Sequence, residues 1–418
     1  MTKINTDRAW DVSVFLYIVC SVTFLAGPFV KINSISLYFF LLVSANNVLI
    51  SRGKLELNLC VVSLAFYGVF LVVSLFYTPA TESEISTTVY DYITMLIIVW
   101  FMSEYAVSYE KIDNILHAIL CSGVTLSAYI YSLYGNNFWS ILKANSEVSV
   151  ASITRIGSVL ANTNDIGICT AFSASIGLYF LLFRKKRLVY TFIYAMATTI
   201  CFVMSMATGS KKALIIIFLT TAVVFAYRIY GDKNVISKIK YITILILGVV
   251  ALYLMVMNLT IFSGIRARIE TQIAFRKTGV GGTLSDIERA YFKEQGFKYW
   301  GEKPIFGNGI CSSVHYLGVY THNNFLEILM NTGLIGFMIF YVWQIYMLLK
   351  YAFCVKNYKK VNSINSILAG FALSIFICGS GLVYYYDRYI LILLVVAFRG
   401  VLLGEQALIE GSEGYKNE

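Results

Sequence analysis

The 418-residue chain is 58% hydrophobic and 13% charged, with a formal net charge of +10. Soluble domains carry roughly 25% charged residues, so this composition excludes a soluble enzyme and reads as an all-α, polytopic membrane protein. The excess positive charge sits in short loops, where it orients helices in a membrane, and is not read as nucleic-acid binding.

A helix needs about 20 apolar residues to cross the hydrocarbon core. Twelve runs are predicted to do so, near 12–29, 34–50, 57–77, 87–107, 112–134, 163–183, 188–207, 211–230, 239–262, 324–349, 363–383 and 389–405, making residues 1–418 a single integral membrane domain. The first run follows Lys3 and Arg8, as in a secretion signal, but Leu25-Ala26-Gly27-Pro28 lacks a small-x-small cleavage site, so a retained span is expected. Alternate loops carry Arg52 and Lys54; Lys111; Arg184, Lys185, Lys186 and Arg187; Lys233, Lys238 and Lys240; then Lys356, Lys359 and Lys360. The positive-inside rule makes these loops and both termini cytoplasmic. The opposite loops include Thr81-Glu82-Ser83-Glu84 and one large external loop, 264–320.

Polar motifs gather on that external side. The loop at 135–162 holds Arg155-Ile156-Gly157-Ser158 and leads into Asn162-Thr163-Asn164-Asp165. Thr208-Gly209-Ser210-Lys211-Lys212 places two lysines there against the charge trend, which calls for a local partner or a ligand. In the large loop, Ser285-x-x-Glu288 reads as a capping box opening a helix to about Trp300. That helix has Ile287, Ala290, Tyr291 and Phe297 on one side and Arg289, Lys293 and Gly296 on the other, a basic face toward a polar cavity. Thr321 is a plausible N-cap for a helix through Glu327, and Gly333 and Gly336 suit a bend or close packing. Six of eight cysteines lie in predicted spans, Cys354 is cytoplasmic and Cys311 alone is external, so neither a disulfide framework nor a zinc site is expected.

His322 is the strongest candidate for chemistry. A single histidine is most often a hydrogen-bonded structural residue, but this one is external, at a helix start, beside Asn323 and Asn324, and shares its loop with several arginines. A helix N-terminus disfavours imidazolium and keeps the ring able to accept a proton. Arg289 offers a guanidinium fork for phosphate, whereas Lys293 and Lys298 read as solvated. Arg155, before a glycine and an Asn-rich helix start, suits anion binding. Arg266, Arg268 and Arg276 either join that role or contact lipid headgroups. No D-x-D, Walker A, G-x-S-x-G or H-E-x-x-H motif occurs. What remains is a set of cations around one neutral base, suited to displacing a diphosphate, a leaving group that needs no acid.

Arg289, Gly307-x-Gly309 after Pro304, His322-Asn323-x-x-Leu326 and Gly333-x-x-Gly336 together resemble the shared C-terminal region of the O-antigen polymerase and O-antigen ligase superfamily, here within 286–345. Arg155-Ile156-Gly157 with Asn162-x-Asn164 resembles the family's first external-loop signature, and Ser210-Lys211 stands where relatives commonly have Ser-Arg. The resemblance implies metal-independent, cofactor-free glycosyl transfer between undecaprenyl-diphosphate-linked oligosaccharides at the periplasmic face of the bacterial inner membrane. It favours a polymerase, with transfer to lipid A–core by a ligase as the alternative and a lipid-linked oligosaccharide flippase as the non-enzyme alternative. Arg289, Arg155, Lys211 and Arg266 would hold the diphosphate, Asn323 and Asn324 would contact substrate, and His322 would take the acceptor proton or orient its hydroxyl. Expected partners are membrane lipid and a chain-length regulator and flippase of the same pathway, with no nucleic acid.

Overall fold

A computed structural model of the chain describes residues 3–52, 56–145, 153–184, 187–259, 262–279, 282–356 and 363–413. Lys54, Lys185, Lys186, Lys359 and Lys360, used above for orientation, lie outside the described residues. Among the described residues the chain is helical, with no strand. The helices are α1 (Lys3–Thr23), α2 (Val30–Ala45, prolonged by a π-turn, Asn46–Arg52), α3 (Leu59–Ser74), α4 (Glu82–Tyr105), α5 (Tyr109–Tyr134), α6 (Asn137–Ala144), α7 (Thr163–Phe183), α8 (Leu188–Ala207), α9 (Lys211–Gly231), α10 (Val235–Asn258), α11 (Ser263–Thr278), α12 (Leu284–Glu302), α13 (Ser312–Leu317), α14 (Asn324–Lys356), α15 (Ile364–Cys378) and α16 (Arg388–Glu413).

Each of the twelve expected spans coincides with a helix, and nine of the described helices are long and apolar enough to cross a membrane. The other three fall short for visible reasons. α1 carries Asp7, Arg8 and Asp11 in its first turns, and Asp11 is held by Tyr105 and Lys111. α3 and α15 have only 16 and 15 residues. The stretch expected as the large loop between spans, 264–320, folds mostly as α11, α12 and α13, of which α12 is the helix expected to about Trp300.

Burial reveals the solvent this fold is built for. α10 is almost wholly apolar beyond Lys240, yet none of its residues is buried. A helix apolar over this length is stable only inside a core or in lipid, and here the protein covers only one side of it, against α9 and α11. At the other extreme α7 is nearly enclosed, packed on α5, α8 and α9. Small residues permit that approach: a side chain at Gly123 of α5 would collide with Ser173, and one at Gly177 with Thr198 of α8. Hydroxyls in these helices bond back to their own turns, as Thr170 does to the Ile166 carbonyl at 2.8 Å, which satisfies them without water.

α14 is broken at Gly333 (φ 64°, ψ −163°), a conformation open only to glycine. The break frees backbone groups that need partners, and the Pro304–Ile310 segment supplies them. Asn308 and Gly309 amides donate to the Met330 and Asn331 carbonyls at 2.8 and 2.9 Å, and the Leu334 amide donates to the Pro304 carbonyl at 2.9 Å. The strands of backbone lie so close that a Cβ at Gly307 would sit 2.5 Å from the Gly333 nitrogen. Irregular backbone at membrane depth is tolerated when protein satisfies it in this way. Gly307 and Gly333 thus lock this segment onto α14, while Gly309 makes room for Thr78 and Gly336 for Thr332 and Tyr67.

Candidate active site

The site is assembled around the turn between α8 and α9. Gly167 of α7 leaves room for it, since a Cβ there would lie 2.6 Å from Thr208 Oγ1 and 2.7 Å from Ser210 Cβ. The turn passes through Gly209 at φ 63°. At the end of α8 the last carbonyls point out unpaired, and a helix C-terminus attracts cations. Arg155 Nε donates to the Thr208 carbonyl at 2.9 Å, with its Nη2 on Asn164 Oδ1 at 2.9 Å. Arg268 Nη1 donates to the Gly209 carbonyl, also at 2.9 Å. Both guanidiniums keep further N–H groups free of these bonds.

The turn then launches α9 with Lys211 and Lys212. Lys211 Nζ lies 3.5 Å from Asp286 of α12, and this ion pair joins the two helix starts. Asp286 is also held by Thr283, whose hydroxyl donates to Oδ2 at 2.6 Å and accepts from the Asp286 amide. Burial pushes the Asp286 carboxyl up, but the Thr283 hydrogen bonds and Lys211 outweigh it and hold the group below the usual carboxylate range. The cap of α12 is therefore Thr283, with Asp286 at the third position, and not Ser285 with Glu288: Thr283 is the residue in extended backbone (ψ 156°).

α12 turns Asp286, Phe292 and Gly296 inward, with Arg289 half-buried on the same side. Ile287, Tyr291 and Phe297 are exposed, as is Lys293. Of the anticipated basic face, Arg289 and Gly296 pack toward the protein and Lys293 does not. The Arg289 Nε is buried without a hydrogen-bond partner.

His322 closes the site. Its backbone is left-handed (φ 57°), which ends any helix there. The N-cap of α14 is accordingly Asn323, whose Oδ1 accepts from the Phe325 and Leu326 amides at 3.0 and 3.3 Å, rather than Thr321. The imidazole lies between the rings of Tyr320 (4.3 Å between centroids) and Phe292 (6.2 Å), and makes no hydrogen bond to a described residue. Burial, then the charges of Arg289 and Lys212, push its pKa down to about 4. At neutral pH it is an uncharged ring with a free nitrogen. Its protonation is governed by burial and cations, more than by the helix end invoked from sequence.

Arg155, Arg268, Arg289, Lys211 and Lys212 thus converge with His322, against the carboxylates of Asp286 and Asp165. Burial and the charges of Arg268 and Arg289 lower the Arg155 pKa to about 9, and burial with Arg289 lowers that of Arg268. Such crowding costs energy that a bound anion relieves. Three sequence candidates are placed otherwise. Arg266 bonds the Met257 carbonyl on the far side of α11 from Arg268. Asn323 spends its carbonyl oxygen on the cap. Asn324 is fully buried, donating to Tyr341 (2.7 Å) and accepting from the Tyr384 and Tyr385 amides (2.8 and 3.0 Å), which ties α14 to the loop before α16. The residues chosen too weakly from sequence are Arg268 and Lys212. What separates Arg268 from Arg266 is the burial of Ile265, three residues before Arg268 on the same helical face, which the structure decides.

An apolar groove of about 650 Å³ runs between α7, α8, α9 and α10, from Leu182 and Phe225 up to Leu259 and Phe262. Phe262 immediately precedes α11, so the groove leads toward Arg268. Residues 196–341 match a family model described as O-antigen ligase. The matched stretch contains Lys211, Lys212, Arg268, Arg289 and His322, while Arg155 and Asp165 precede it. No curated protein matches the chain.

Proposed function

We propose that this chain, a multi-pass membrane protein belonging to the O-antigen polymerase and ligase superfamily, polymerises lipid-linked saccharide repeat units at the periplasmic face of the inner membrane. The observation that carries the reading is the cluster of five cations around an uncharged, unbonded histidine. The donor is a growing glycan on undecaprenyl diphosphate, its prenyl chain in the apolar groove and its diphosphate among Arg155, Arg268, Arg289 and the two lysines. The acceptor hydroxyl oxygen forms the new bond to the anomeric carbon as the bond from that carbon to the diphosphate oxygen breaks. The departing oxygen takes the electron pair, and fixed cations favour the charge that develops on it. His322 accepts or orients the hydroxyl proton. Near 4 its pKa makes the ring a weak base in the free protein; an entering diphosphate anion favours imidazolium and so strengthens the base when substrate is bound. No nucleotide or metal is assigned to this scheme.

A ligase shares the donor and differs in its acceptor, lipid A–core, and the description of the matching family names that activity. Deletion of the gene followed by gel analysis of surface lipopolysaccharide separates the readings. A core capped with a single repeat unit is expected. A bare core with lipid-linked polymer accumulating would instead make the protein a ligase, and unpolymerised units held inside the cell would make it a flippase.

A further inference from the structure

A second cavity, of about 380 Å³, lies beside the cation cluster among α1, α2, α4, α7 and the start of α16. Its size is within the roughly 300–1,000 Å³ of small-ligand sites. Its chemistry is the reverse of the cluster's. Asp91, Asp165 and Asp387 face a single guanidinium, Arg388, which is already paired with Asp91 at 2.8 Å. Tyr386 and Tyr389 add aromatic rings. The Asp165 carboxylate and the Tyr386 hydroxyl make no hydrogen bond to a described residue, whereas the Tyr389 hydroxyl is buried away from the cavity, so that Tyr389 offers only its ring. Half-buried polar groups that line a cavity without protein partners leave it able to take something that both donates and accepts hydrogen bonds.

We propose that this cavity is the acceptor-saccharide subsite, taking a hydroxyl-rich sugar that carries no acidic group. The reading rests on the glycosyl-transfer function proposed above. Sugar hydroxyls donate to the carboxylates and accept from Tyr386, and the rings offer flat apolar surface to the sugar's C–H faces. A second diphosphate or an acidic sugar is repelled, which keeps donor and acceptor in separate compartments. The two compartments meet at Asp165, in the first turn of α7. Asp165 is within electrostatic reach of Arg155 on one side and of Tyr320 on the other, and Tyr320 is in ring contact with His322. A sugar held in the cavity is therefore placed to present its outermost hydroxyl on the side of Tyr320 and His322. Asp387 is anchored as the cap of α16, accepting from the Ile390 amide at 2.9 Å, and burial raises its pKa to about 6, so it is mostly ionised at neutral pH.

The test uses full-length protein in detergent and two probes. One is the free repeat-unit oligosaccharide, released by mild acid from lipid-linked units that accumulate in a strain lacking the gene. The other is undecaprenyl diphosphate. Asp165→Asn keeps shape and removes charge; Tyr386→Phe removes a hydroxyl and leaves the ring. Each is expected to weaken oligosaccharide binding about 10–100-fold, as loss of a hydrogen bond to a charged or buried group does, with undecaprenyl diphosphate binding unchanged in Tyr386→Phe and no weaker in Asp165→Asn, which removes a negative charge beside Arg155 and Lys212. Retained undecaprenyl diphosphate binding also shows that the variants are folded. Oligosaccharide affinity unchanged in both variants, or no oligosaccharide binding to the wild type, overturns the subsite. Failure of undecaprenyl diphosphate to bind the wild type would instead overturn the donor site itself.

Discussion

Replacing Arg289 separates charge from hydrogen-bond geometry within the cluster. Its Nε is buried and has no partner, so a bound diphosphate oxygen is the natural acceptor. Arg289→Lys keeps the charge and loses the planar fork. A hydrogen bond to a charged group contributes about 1.5–3 kcal/mol, and with about 1.4 kcal/mol per tenfold the expected loss of undecaprenyl diphosphate affinity is roughly 10–150-fold. Arg289→Gln removes the charge as well, and its effect reaches further. After burial, Arg289 is the next cause of the low His322 pKa, which stands at about 4. With that cation gone imidazolium is less disfavoured, so the pKa rises toward its ordinary value. The acid limb of kcat/KM for chain extension should then move to higher pH in Arg289→Gln and stay in place in Arg289→Lys. Titration calorimetry with undecaprenyl diphosphate reads the first effect and a pH–rate profile on purified protein reads the second. If Arg289→Lys binds as tightly as wild type, or if Arg289→Gln leaves the acid limb where it was, the assignment of Arg289 to the diphosphate and to the histidine's field is refuted.

Three further outcomes are expected. His322→Ala should lower extension by about 10²–10⁴-fold, and His322→Gln should stay equally low if the ring takes the proton; substantial activity in the Gln variant alone would make His322 an orienting residue. Because the ring must be neutral to act and takes its proton only near pH 4, wild-type kcat/KM should show no limb near the ordinary histidine value, and a limb there would contradict the buried, cation-flanked geometry. Gly333→Ala should destabilise the fold by more than the roughly 1–3 kcal/mol of backbone strain, because its Cβ would strike the Ile305 carbonyl and lie 2.5 Å from the Gly307 nitrogen; an unchanged melting temperature would contradict the described break. A cysteine at Leu284, which is 80% exposed, should react with an impermeant thiol reagent from outside intact spheroplasts, and protection there would reverse the orientation.

Composition and periodicity were sufficient for the helices, because the 20-residue apolar run is a local property set by bilayer thickness and backbone hydrogen bonding. All twelve expected runs became helices, although α1, α3 and α15 fall short of a span by charge or length. The sequence also singled out Arg155, Lys211, Arg289 and His322, since charged groups outside the alternating basic loops stand out against an apolar background. It could not rank Arg268 above Arg266, because that choice depends on which face of α11 meets the Gly209 carbonyl. Nor could it show that Asn324 is consumed by Tyr341, Tyr384 and Tyr385, residues distant in the chain. The acidic cavity was invisible for the same reason: Asp91, Asp165 and Asp387 come from three separate segments. Local hydropathy decides where a helix forms. Only tertiary packing decides which of its polar groups remain unpaired, and those are the groups left free to bind.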